Sequence, residues 1–193
     1  MTKYNFARMA EESGVPEEVL RRHIPDYEEG DLVSLSRAIR DTCQITTECL
    51  AELIKKVLLL ADKKQETVKT ADEASKLFFL LPAEDLFTDL PGELLKAYSH
   101  LVPKILGTWL GKCTSLTELK ALHKTMRALG EDYCHFKVLV LNKWQEVFEE
   151  SLEKADTAEK ITKIIQDAPP EGNGTATAIE KLSQFYRIET TEA

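Results

Sequence analysis

Cys134 and His135 are adjacent, and His123 precedes Cys134 by eleven residues. Thiolate and imidazole bind zinc, so a metal site is the first chemistry to test against the spacing. The spacing works against it. Neighbouring residues on a helix point about 100° apart, so Cys134 and His135 do not face one ion together. No further Cys/His pair completes a tetrahedral set, and no E-x-x-H pair is present for a di-iron bundle site. The sequence also lacks a P-loop, G-x-S-x-G, H-E-x-x-H and G-x-G-x-x-G. Carboxylate pairs such as Glu149-Glu150 read as solvated charges on an amphipathic surface. The expectation is therefore no metal, no cofactor and no enzyme.

Basic residues offer a different chemistry. Between Lys104 and Lys143 there are seven cations and three carboxylates. Lys120, Lys124 and Arg127 fall at i, i+4 and i+7, which places them on one helix face. Such a stripe contacts phosphates or an acidic partner, and the chain's own acidic C-terminal segment is one candidate. Residues 9–22 resemble a helix-turn-helix motif over about a dozen positions. Ala10, Gly14, Val15 and Leu20 fall where that motif wants a small residue, a turn glycine and two buried apolar residues. The would-be recognition helix opens with Glu17 and Glu18, and Arg21 and Arg22 follow. Arg21, Arg22, Lys120, Lys124 and Arg127 are thus the candidates for nucleic-acid binding, the alternative reading.

The stretch Leu77-Phe-Phe-Leu-Leu81, then Leu86-Phe87, Leu90, Tyr98 and Trp109, holds more apolar residues than one helix face buries. Clustered apolar surface that stays exposed marks an interface. Phe78, Phe79, Leu86, Phe87 and Trp109 are the candidates for holding another protein, a second copy of the chain included.

These residues need helices to position them. No segment alternates apolar and polar residues over six positions, so no strand is expected and the fold class is all-α. Leu32, Ser36, Ile39, Cys43, Thr46, Leu50, Leu53, Val57 and Leu60 trace a heptad-like seam, which predicts one long helix over 31–61 with Asp31 as N-cap. Thr70–Glu73, Ser115–Glu118 and Asp156–Glu159 have the spacing of capping boxes. Pro91 suits a helix start, and Pro103 predicts a kink or split within 92–110. The 131–155 stretch reads as a central buried helix with Phe136, Val140 and Trp144 in the core. The expected organisation is a short helical hairpin over 1–30, a bundle over 31–167, a linker over 168–174 and a C-terminal helix and tail over 175–193. Ile179, Leu182 and Phe185 are expected to dock that last helix on the same chain, with exchange onto a neighbouring subunit as the alternative.

Composition sets the outer bounds. The 193 residues are 43% hydrophobic and 30% charged, enough apolar content for a packed core without metals or disulfides. The net charge is −8, and residues 146–193 alone carry 11 acidic and 5 basic side chains. An acidic whole argues against broad nucleic-acid binding, although a local basic patch remains compatible with it. The longest apolar runs are five residues, far short of the roughly 20 that a membrane helix needs. The start, Met1–Arg8, has no apolar core of a secretory signal, and the four cysteines contain no C-x-x-C pair. The sequence reading is thus an acidic, cytoplasmic helical interaction protein that acts as an adaptor, assembly or regulatory module.

Overall fold

The computed structural model describes residues 21–41, 46–129, 133–170 and 174–191; of 41 and 185–191 only the backbone is described. The described residues are helical, with helix packed on helix and no strand. The chain divides into two compact units, Met1–Trp109 and Leu110–Ala193, within the stretch read from sequence as one bundle.

In the first unit, α1 (Leu32–Asp41) and α2 (Thr47–Gln65) pack on each other. The seam over 32–60 is therefore carried by two helices and not by one. Thr46 is the reason: its backbone is extended, at φ −66° and ψ 156°, and its hydroxyl accepts from the Cys49 N–H at 3.4 Å. That is a helix N-terminus, where a β-branched hydroxyl side chain does better as a cap than inside a helix. Asp31 directly precedes α1. Its carboxylate accepts from the Glu28 N–H at 2.9 Å and closes a 3-10 turn over Glu29–Asp31. α1 buries Leu32, Leu35, Ala38 and Ile39, together with Ser36, whose hydroxyl accepts from Arg40 at 3.1 Å.

α3 (Ala71–Phe78) starts at the predicted cap. The Thr70 hydroxyl accepts from the Glu73 N–H, and the Glu73 carboxylate accepts from the Lys69 N–H at 2.8 Å. A 3-10 turn over Glu84–Phe87 leads to α4 (Gly92–Lys112). α4 follows Pro91 as expected, and it runs through Pro103 without splitting. Two polar links tie it to α2: Lys104 to Asp62 at 2.9 Å and Thr108 to Gln65 at 3.0 Å.

In the second unit, α5 (Leu116–Ala128) opens with a full Ser115/Glu118 capping box. α6 (Cys134–Glu153) buries Phe136, Val140, Trp144, Phe148 and Leu152, spaced four apart along one face. The helix is not apolar-buried all round, because Val138 and Leu139 are about half exposed. α7 (Ala158–Gln166) is capped by Thr157, one residue later than Asp156, which instead pairs with Lys160 at 2.7 Å. α8 (Gly174–Thr191) packs on α6 and α7.

The last helix does dock on its own chain, through smaller residues than expected. Ala178 is fully buried, Leu182 is partly buried against the same cluster, and Ile179 is 53% exposed. Gly174 sits so close to Phe148 that an added Cβ would lie 3.0 Å from the ring. The side chain of Phe185 lies outside the described residues, as do residues 171–173 of the expected linker and residues 1–20 of the expected N-terminal hairpin.

One electrostatic device recurs. The last carbonyls of a helix lack intrahelical donors and carry partial negative charge, so cations are favourable there. Lys181 donates to Leu152 O and Glu153 O at the end of α6. Lys143 donates to Leu110 O near the end of α4 at 2.7 Å. Lys120 donates to Gln166 O at the end of α7 at 3.2 Å, and Arg40 donates to Phe79 O at the end of α3.

Candidate functional site

The aromatic candidates divide by burial. Phe78, Phe87 and Trp109 are 8%, 4% and 3% exposed, so they belong to the core of the first unit and present almost no area to a partner. Phe87 stacks against Tyr98 with centroids 4.8 Å apart, tilted by 41°. Leu86 is half-buried. Phe79 differs from the other aromatic candidates, with 56% of its surface in solvent.

Phe79 stands where α3 ends. Its ring meets Phe78 edge-on at 5.6 Å and Trp109 edge-on at 6.2 Å, while Phe78 and Trp109 lie 6.0 Å apart. Edge-to-face geometry at these distances is attractive, so the two buried rings favour this orientation of the exposed one. The Arg40 guanidinium holds the Phe79 carbonyl from α1. The helix-end contacts that place this ring could not be read from spacing, since Arg40 and Phe79 are 39 residues apart.

The basic candidates also divide. Arg22 is exposed, and Arg21 lies 3.9 Å from the Glu48 carboxylate. Of the motif-like segment 9–22, only these two residues fall within the described part. On α5, Lys120, Lys124 and Arg127 do share one exposed face, as the spacing predicted. Lys120 is engaged within the chain: its ammonium lies 2.7 Å from Asp167 Oδ1 as well as on Gln166 O. Among the described residues, the acidic segment that the sequence reading offered to this patch reaches it through Asp167.

Behind the stripe lies an open groove of about 550 Å³. Its lining includes Lys120, Ala121, Lys124 and Arg127 of α5, Trp144 of α6, and Ala168 and Pro170 beyond α7. Trp144 is 3% exposed; its Nε1–H donates to Asp167 O at 2.9 Å, and its ring meets His123 edge-on at 5.5 Å. Among the described residues, no carboxylate lines this groove.

His123 is thus turned to Trp144, whereas Cys134 is exposed at the start of α6. Among the described residues, no three His, Cys, Asp or Glu side chains gather into a metal-binding group. Cys113 is buried, and that burial, with the Glu118 charge beside it, pushes its thiol up to about 11. A thiol so protonated at neutral pH is a poor nucleophile. Among the described residues, no helix is long and apolar enough to cross a membrane. Comparison with protein-family models, curated proteins and solved structures finds no match to this chain.

Proposed function

We propose that this chain is a non-enzymatic helical module that holds another protein, as an adaptor, assembly or regulatory component. One observation carries the reading: the Phe79 ring, more than half exposed yet held by two buried aromatic rings. Aromatic side chains are enriched among the residues that dominate interface energies. A ring whose orientation is already favoured loses less conformational entropy when a partner covers it. Half-buried Leu86 belongs to the same reading, and a second copy of the chain is one candidate partner. The exposed thiol of Cys134 and the buried thiol of Cys113 suit a reducing compartment, which supports a cytoplasmic setting.

Nucleic-acid binding is the weaker reading. With Lys120 joined to Asp167 and Arg21 near Glu48, the named cations without a carboxylate neighbour among the described residues are Arg22, Lys124 and Arg127. Affinity capture from the native cell tests the choice, using the wild type and Phe79→Ser at matched folded fraction. The reading requires a protein that the wild type retains at moderate salt and the variant loses. Retention of nucleic acid alone, lost steeply as salt rises, would replace it with the regulator reading.

A further inference from the structure

We propose that the groove beside α5 takes a short acidic segment of a partner protein, with an aliphatic side chain seated between Ala121 and Pro170. The proposal rests on the interaction-module reading but uses a different surface from Phe79. Charge complementarity selects this occupant. Lys124 and Arg127 project from one edge, and among the described residues neither makes an ion pair or hydrogen bond. Among the described residues no carboxylate lines the groove, in a chain whose net charge is −8. Lys120 already shows the chemistry of the site by holding the Asp167 carboxylate at 2.7 Å. Lys124 and Arg127 lie about one and two turns further along the same face, about 4.5 Å apart in rise, which suits two carboxylates on successive turns of a bound segment.

The lining decides between a peptide and a nucleic acid. Sequence-tolerant binding of single strands relies on exposed ring faces on which bases stack. Trp144 offers no such face: it is 3% exposed, its ring packs against His123 at 5.5 Å and its N–H is donated to Asp167 O. Two uncommitted cations also neutralise few phosphates. What remains is a small apolar lining of Ala121, Ala168 and Pro170 beside the cations of α5. That combination fits an acidic peptide with an aliphatic anchor.

The probe is a fluorescein-labelled peptide of about 12 residues with glutamates and leucines at helical spacing, long enough to span both cations. Its controls are the same peptide with lysine for glutamate and a single-stranded RNA oligonucleotide. Titrations use the full chain at low salt, as wild type, Lys124→Glu/Arg127→Glu and Ala121→Trp, with thermal melts to confirm folding. The expected result is binding of the acidic peptide at least about ten-fold tighter than the lysine peptide. The double reversal should weaken it by about ten-fold or more, and the tryptophan that fills the groove should weaken it without changing the charge. Should Ala121→Trp fail to fold, the double reversal alone decides. Absence of acidic-peptide binding, equal binding of the lysine peptide, or indifference to the double reversal overturns the proposal. So does RNA that binds more tightly than the peptide and displaces it. Phe79→Ser should leave the peptide affinity unchanged, so failure at the groove and failure of the interaction-module reading give different results.

Discussion

Replacing Trp144 by alanine removes an indole that is 3% exposed and faces the junction of α5, α6 and the end of α7. Truncating a buried aromatic to alanine costs about 3–5 kcal/mol, through lost burial and the cavity left behind. Trp144→Phe separates two contributions. It keeps most of the ring volume and deletes the N–H that donates to Asp167 O at 2.9 Å. A carbonyl deprived of its donor costs about 1–3 kcal/mol, less where water reaches it, and Asp167 is half-buried. The phenylalanine variant is therefore expected to lose about 1–2 kcal/mol, a drop of roughly 5–15 °C in melting for a unit of this size. Urea denaturation followed by circular dichroism measures both variants. The fluorescence of Trp109, the other of the chain's two tryptophans, gives a second probe in the first unit. An unchanged midpoint for Trp144→Ala would show that the indole is not a core side chain. Equal losses for the two variants would show that the hydrogen bond, and not the ring volume, dominates.

Gly174→Ala should destabilise the docking of α8, because its Cβ would meet the rigid Phe148 ring at 3.0 Å; faster amide exchange in α8 than in wild type checks this. Iodoacetamide at pH 8 should alkylate exposed Cys134 and spare Cys113, whose thiol at about 11 is only about one part in a thousand thiolate there; peptide mapping reads the ratio. Glu118 should make stability depend on acid. The Thr114 N–H, donating at 2.8 Å, is the main cause holding its carboxyl below the usual range, and Ser115 adds to it. A carboxyl lowered by folding stabilises above its unfolded value, about 4.3, and that contribution fades as pH falls through the folded value. The stability gap between wild type and Glu118→Gln should therefore be constant near neutrality and shrink below about pH 4.3, as denaturation midpoints across that range would show.

The all-α fold was legible because its signals are local. The caps at Thr70 and Ser115 and the four-residue spacing of Phe136, Val140, Trp144, Phe148 and Leu152 lie within single helices. The break at Thr46 was hidden because the apolar seam continues in register on both sides of it. The division at Trp109 was hidden because it falls inside α4, where composition supplies no linker. Docking of α8 was assigned to its large residues, while Gly174 and Ala178 make the close approach; small residues carry little signal in an apolar pattern. The shared face of Lys120, Lys124 and Arg127 followed from spacing alone. That Lys120 is taken by Gln166 and Asp167 did not, because the partners are 46 and 47 residues away. The same holds for Phe79, whose exposure depends on where Phe78 and Trp109 place their rings.

The most direct test of the interaction reading is photocrosslinking in the native cell, with a benzophenone amino acid at position 79 and, as control, at exposed Ser99 on α4. The account predicts a discrete covalent adduct with one protein, or with a second copy of the chain, at position 79 and none at position 99. No adduct at position 79 beyond the control, or a crosslink to nucleic acid there, would contradict it.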